Sequence, residues 1–281
     1  MMRYFLVFAF LISPFFCSAQ RLHIAKRNIT SKSGLEFSKS IRDSTISIDL
    51  REKIIFSEVR SGNIPEFYRK LIEIRDTVLI NNKNNTIKYF VLPDFLAIGN
   101  DDDYFYCPMR PQLAQKVADL LKCSLPTRKI SNRIYQNAAV KMVPQPIPPS
   151  KAMITVPIFE KHNSMVQEQR KNTLSQFPNG SLTAGNKKDV VISNKTYNDK
   201  GLLRVVIYGW HKPDGKAIQP LYNGHSTIHV DYSHGIRFVQ NKVWVNGKKT
   251  SIQKILKSEI LHPLLSDEGV IAKPYYPVGL Y

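Results

Sequence analysis

Residues 143–150, Val-Pro-Gln-Pro-Ile-Pro-Pro-Ser, place four prolines in eight positions. Proline fixes φ and donates no backbone hydrogen bond, so this stretch suits neither a helix interior nor a central strand. It must run extended, as a connector. The character of the chain changes across it. Upstream, apolar residues recur mainly at helical spacing; from residue 182 onward they alternate or gather in short β-branched runs.

On the upstream side, residues 20–47 read as a polar, irregular N-terminal arm. Asp49 is expected to cap a helix running to Arg60, with Leu50, Ile54 and Val59 facing inward. The stretch DTVLINNKNNTIKYFVLPDFLAI reads as two strands around an Asn/Lys turn. Pro111 suits the first turn of a helix in which Leu113, Val117, Leu120 and Leu121 share a face. TRKISNRIYQNA starts a second helix with Ile130, Ile134 and Ala138 inward, and the pair reads as a helical hairpin. A further helix is expected around FEKHNSMVQEQRK, with His162 facing the core or an interface.

Downstream, DVVISN, RVVIYGWH, KAIQPL and RFVQNKVWVNGKKT read as strands, the last with an Asn246-Gly247 pair that favours a type I′ turn. Short helices near SIQKILKSEILHPLLSDEG close the chain. Helices first and strands after point to an α+β fold, with a helical N-terminal part and a C-terminal antiparallel sheet. Residues 48–281 read as a single α+β domain, in which the connector at 143–150 is able to separate two lobes.

The start of the chain sets the expected compartment. Arg3 precedes an apolar run from Tyr4 to Phe16, and Cys17-Ser18-Ala19 supplies small residues for cleavage, so residues 1–19 read as a secretory signal peptide. That run is too short to span a bilayer as a helix, and no later stretch is apolar enough to do so. The expected product is exported, periplasmic or extracellular. It is strongly basic: 40 Lys and Arg against 22 Asp and Glu give a formal net charge of +18. Such an excess attracts anionic partners, foremost an envelope polymer or polysaccharide. No nucleotide-binding glycine loop, zinc-finger spacing or nucleic-acid motif is present. Beyond the leader the cysteines are Cys107 and Cys123, whose spacing permits a disulfide.

Chemistry concentrates in residues 224–235, GHSTIHVDYSHG, which hold three histidines and an aspartate. Read as a strand, the segment turns Ile228, Val230 and Tyr232 to the core, and His225, Thr227, His229, Asp231 and Ser233 the other way. An extended strand would hold His225 and His229 roughly 13 Å apart, too far to share an ion, with His229 and Asp231 about 6.6 Å apart. An imidazole acting as acid or base needs a partner that fixes its tautomer. The candidate catalytic set is therefore His211, His225, Asp231 and His234, with His211 and His234 exchanging protons and Asp231 orienting one of them. Alternatively, His229-x-Asp231 supplies part of a two-histidine, one-carboxylate iron site, completed by His211, His234 or His262. Cys123 ahead of His225 and His234 has the order of a cysteine hydrolase, although it ends a helix instead of starting one. Lys187, Lys188 and Asp189 at the mouth of a strand, Tyr232, and Arg128 in a first helical turn are candidate substrate-binding residues. The residues name no cofactor and assign no metal to the catalytic set.

The segments DFLAIGNDDDY, CSLPTRK, AGNKKDVV, YGWHKPDGKAIQPL and VDYSHGIR resemble an uncharacterised family of exported bacterial proteins, over about residues 60–268. The resemblance implies export; it implies no activity and lends no catalytic residue. The expected function is an exported hydrolase acting on an anionic cell-envelope or extracellular polymer, with peptidoglycan first. A non-catalytic envelope- or polysaccharide-binding module with a basic surface is the alternative, and a metal-dependent oxygenase the third.

Overall fold

The computed structural model describes residues 20–279, so the signal-peptide expectation for residues 1–19 lies outside the described residues. The chain begins with two helices, α1 (Gly34–Ser40) and α2 (Ile48–Arg60), and two hairpins, β1 (Ile72–Ile80) with β2 (Lys83–Val91) and β3 (Ala97–Gly99) with β4 (Tyr104–Tyr106). Then come α3 (Pro111–Leu120), β5 (Cys123–Ser124), α4 (Arg128–Asn137), β6 (Val140–Lys141) and α5 (Val156–Lys171). The remainder is mostly strand: β7 (Thr183–Ala184), β8 (Lys188–Val190), β9 (Ile207–His211), β10 (Ala217–Tyr222), β11 (His234–Gly235), β12 (Val239–Gln240), β13 (Lys242–Val245) and β14 (Lys248–Ser251). One last helix, α6 (Ile252–Leu256), follows. The fold is α+β, with most of its helices in the N-terminal part.

Two sheets organise the molecule. In the larger, the long strand β2 pairs with β1 along one edge and with β13 and β12 along the other, all antiparallel, so the N-terminal hairpin and the C-terminal meander share one sheet. Ile74, Ile87, Tyr89, Val91, Val243 and Val245 bury its inner face. The smaller sheet runs β10-β9-β8-β11, antiparallel except that β11 joins β8 in parallel. Both main hairpin turns are closed by left-handed residues: Asn81 and Asn82 at φ 49° and 60°, Asn246 and Gly247 at φ 49° and 78°. Those angles match the right-handed twist of the strands they join.

The helices are placed by caps and apolar faces. Ser47, not Asp49, caps α2 by accepting from the Leu50 amide, and Ile55 rather than Leu50 takes the inner position; Leu50 stays 50% exposed. α3 starts on Pro111 as expected, but a left-handed Lys122 turns the chain into β5 before α4 begins. α3 then packs mainly on α2 and β5, and α4 on β9. The connector at 143–150 does run extended, and it is pinned: the Ile147 amide donates to Tyr232 Oη at 2.7 Å, and that hydroxyl donates back to the Ile147 carbonyl at 3.2 Å.

Residues 20–47 are built into the fold. The Leu22 amide donates to the Arg69 carbonyl at 2.8 Å, and Ser33 with Glu36 forms a capping box on α1 that drives Phe37 into the core. Deleting that buried ring should therefore cost about 3–5 kcal/mol. Phe37→Ala is expected to lower the urea midpoint accordingly, whereas Ile29→Ala, at a side chain 94% exposed, stays within about 0.5 kcal/mol. Equal midpoints for the two variants would show that the segment is only laid over the domain.

Candidate functional site

The segment 224–235 is not a strand; only His234 and Gly235 pair with the sheet. The chain turns back at residues 226–229, where the His229 amide donates to the Ser226 carbonyl at 3.1 Å. Asp231 then folds the next bend onto itself, accepting from both the Ser233 amide and the Ser233 hydroxyl at 2.6 Å. Such side-chain-to-backbone bonds compete directly with a strand ladder. Ile228, expected in the core, is 67% exposed, while Asp231, Ser233 and His234 are buried.

These turns gather the imidazoles that an extended strand would separate. His225 and His229 stack face to face, ring centroids 4.0 Å apart and planes at 19°, and Tyr222 meets His225 edge-on at 5.2 Å. His234 lies 6.0 Å from His229 at a steep angle. The four rings form a file from the surface inward: Tyr222 exposed, His225 and His229 half-buried, His234 1% exposed. Asp231 Oδ2 stands 4.0 Å from His229 Nε2, a distance of attraction and not of a hydrogen bond.

Gly235 brings the inner end of this file against the sheet. A Cβ there would sit 2.4 Å from the Phe95 ring and 2.7 Å from Lys187 Cβ, so only glycine permits the approach. β11 consequently pairs His234 with Lys188. The Lys188 ammonium lies 5.2 Å from the Trp210 ring centroid. Trp210 is held there by two consecutive left-handed residues, Gly209 at φ 103° and Trp210 itself at φ 56°. A bulky residue in that region is strained by about 1–3 kcal/mol.

Electrostatics set an ionised carboxylate, Asp231, beside two imidazoles, His225 and His234, that resist protonation. Burial works against charge on Asp231, but the Ser233 hydrogen bonds and the Lys188 ammonium favour it, and the carboxyl lies below its usual range. Burial holds His234 well below its ordinary value, with Asp231 opposing. His225 is also lowered, by burial first and His229 second. Neither ring nitrogen of His234 has a hydrogen-bond partner.

Several expected site residues lie elsewhere. His211 stacks on Tyr135 at 4.5 Å, and its Nε2 lies 2.9 Å from Asn132 Oδ1; burial lowers its pKa to about 4, and it faces α4 rather than the histidine file. Cys123 is enclosed in β5, its thiol pushed up to about 12 by burial, so it offers no thiolate; Cys107 is likewise buried, and both cysteines are free. Arg128 pairs with Asp267 at 2.9 Å.

Lys187, Asp189 and Tyr232 are interior, not a substrate-facing rim. Lys187 Nζ donates to the Tyr232 carbonyl at 2.6 Å and to His162 Nδ1 at 2.9 Å. Burial brings Lys187 down to about 7, and burial together with Lys187 brings His162 to about 2, leaving that ring a neutral acceptor. Asp189 is raised to about 7 by burial, with Arg237 at 4.0 Å opposing. The residue the sequence reading undervalued is His229, whose stack with His225 rests on a turn that the Ser226-Thr227 and Asp231-x-Ser233 chemistry could have signalled.

Among the described residues no group of three His, Cys, Asp or Glu side chains is placed to hold a metal ion, so the His229-x-Asp231 iron arrangement is not assembled. Among the same residues no helix is long and apolar enough to cross a membrane. No protein-family model, curated protein or solved structure matches the chain.

A buried neutral His234 makes stability depend on pH in a definite direction. Its folded pKa is depressed, so below about 6.5 the unfolded chain takes up a proton that the folded chain refuses, and stability is lost as pH falls. Relative to His234→Gln, the wild-type protein is expected to lose stability between pH 7 and pH 5, with a slope approaching about 1.4 kcal/mol per pH unit. Urea titrations at both pH values check this; parallel losses in the two proteins would refute it.

Proposed function

We propose that this protein is an exported hydrolase of an anionic polymer, with His229 as the group that draws a proton from attacking water. Peptidoglycan is the first polymer to try. The observation that carries the reading is the stacked His225–His229 pair, half-open to solvent, with the Asp231 carboxylate 4.0 Å behind His229. An imidazole beside an ionised carboxylate is stabilised by attraction as it takes up a proton. His225 is held below its ordinary value, by burial first and by the neighbouring His229 second. Asp231 is a positioning residue in this scheme. His234, buried with two unmatched nitrogens, is costly for a structural role alone and supports a functional one.

The surroundings fit an acidic, extended substrate. Ile228 and Val230, on either side of His229, line a groove of about 390 Å3 together with Arg42, Arg51, Ile154 and Pro157. Asp43 lines the same groove and Arg42 is paired with Glu160 at 3.5 Å, so the attraction for a polyanion rests on the net charge of +18. The apolar run and small residues at 1–19 support export.

The test is release of soluble fragments from purified peptidoglycan sacculi. His229→Ala is expected to reduce the rate at least about 100-fold. Asp231→Asn should lower kcat at unchanged KM when rates are normalised to the folded fraction read by circular dichroism, because loss of folded enzyme alone also lowers apparent kcat without moving KM. Release unaffected by His229→Ala would overturn the assignment. Sacculus binding without any fragment release would overturn catalysis and leave a binding module.

A further inference from the structure

We infer that the outer face of the larger sheet is a docking surface for an acidic polysaccharide, separate from the histidine file. Cross-strand register places Arg75 opposite Lys88, Lys88 opposite Trp244, and Trp244 opposite Lys249, so one row crosses β1, β2, β13 and β14. The alternate residues Ile74, Ile87, Val243 and Val245 are buried on the inner face, which leaves this row on the solvent side. Lys242 stands two positions from Trp244 on the same face. Four cations thus surround one indole, where an antiparallel sheet would be expected to separate like charges.

The indole gathers them. Lys88 Nζ lies 4.7 Å and Lys242 Nζ 5.2 Å from the Trp244 ring centroid, each attracted by the ring's negative face. Trp244 is itself fixed edge-on against Phe90, centroids 5.8 Å apart. Glu73 offsets Arg75 through an ion pair at 2.5 Å, and among the described residues no carboxylate pairs with Lys88, Lys242 or Lys249, so the lysine charge is left for a ligand. Lys88 and Lys249 are separated by two strand spacings, about 10 Å, with the ring between them. Arg75, Lys88 and Trp244 also line a concavity of about 470 Å3 with Thr77, Thr86 and Asp76, whose carboxylate is taken up by Arg133 at 2.6 Å.

Charge complementarity selects a polyanion, and the ring selects which kind. Single-stranded nucleic acid is held by successive aromatic platforms on which bases stack. Here a single indole carries two ammonium groups that compete with stacking. Carboxylates spaced along a chain, with neutral hydroxyls between them, match fixed cations flanked by threonines. A uronic-acid polysaccharide has that pattern.

Affinity gel electrophoresis of the full chain with polygalacturonate tests the inference. The wild-type protein is expected to be retarded by polygalacturonate and not by neutral dextran, with the retardation falling as salt rises. Lys249→Glu, at an exposed position, and the double variant Lys88→Gln/Lys242→Gln should each weaken binding about tenfold or more. Trp244→Phe should bind better than Trp244→Leu, because only the former keeps a ring to hold the ammonium groups. Unchanged retardation in the lysine variants, equal retardation in dextran, or tighter binding of a single-stranded oligonucleotide than of polygalacturonate would each overturn it. Retardation is read without turnover, so its loss leaves the histidine assignment standing. A His229→Ala protein that releases no fragments yet is retarded normally would separate the two.

Discussion

Arg237 is a fully buried guanidinium that donates to the Leu92 carbonyl at 3.1 Å and the Thr183 carbonyl at 2.7 Å, with Asp94 at 3.8 Å and Asp189 at 4.0 Å. Arginine does not lose its proton in a protein, so a cation in the core must be neutralised where it stands. Its partners come from the end of β2, from β7 and from β8, while Arg237 itself enters β12. The charge therefore fixes how the two sheets sit against each other. Phe95 closes one side of the guanidinium at 4.2 Å, and the Tyr106 hydroxyl and Asn186 amide satisfy Asp94 at 2.5 and 3.2 Å.

That arrangement determines what lies above it. Phe95, stacked on Arg237, is the ring that leaves no room for a side chain at residue 235. Gly235 lets β11 close on β8, which carries His234 down to Lys188 and leaves His225 and His229 at the surface. Beneath them Lys187 reaches the Tyr232 carbonyl, and the Tyr232 hydroxyl holds the proline connector. A polar interior thus braces a loop that has almost no regular secondary structure of its own.

The parts of this fold legible in the sequence were those decided locally. Asn81-Asn82 and Asn246-Gly247 announced their hairpins because few residues tolerate left-handed angles, and Pro111 announced a helix because its missing amide costs nothing there. The site was legible as composition and misread as geometry. Alternation in GHSTIHVDYSHG suggested a strand, but Asp231 spends its carboxylate on Ser233 and the turn at 226–229 brings His225 onto His229. Lys187 and Asp189 looked like a solvated strand mouth because their partners, His162 on α5 and Arg237 before β12, are distant in sequence. His211 was paired with His234 as a proton-exchanging partner, yet the left-handed Gly209-Trp210 step precedes a ring that stacks on Tyr135 instead.

Unmatched buried polar atoms are spread through the interior, at Arg51, Asn186 and His162 among others, but beside Lys188 they coincide with a strained tryptophan. Trp210 holds a left-handed backbone, its indole nitrogen has no partner, and both nitrogens of His234 are unmatched. Each buried, unsatisfied group forfeits about 1–3 kcal/mol, and the strained residue costs a similar amount. A domain stable by only about 5–15 kcal/mol would shed such defects quickly if they served packing alone, since an apolar residue at position 234 would remove two of them. They converge around Lys188, at the inner end of a file of rings that opens to solvent, which is the observation the proposed histidine chemistry draws on. His162 meets Lys187 through Nδ1 but leaves Nε2 unmatched in the interior, so what sets the histidine file apart is its opening to solvent at His225 and His229.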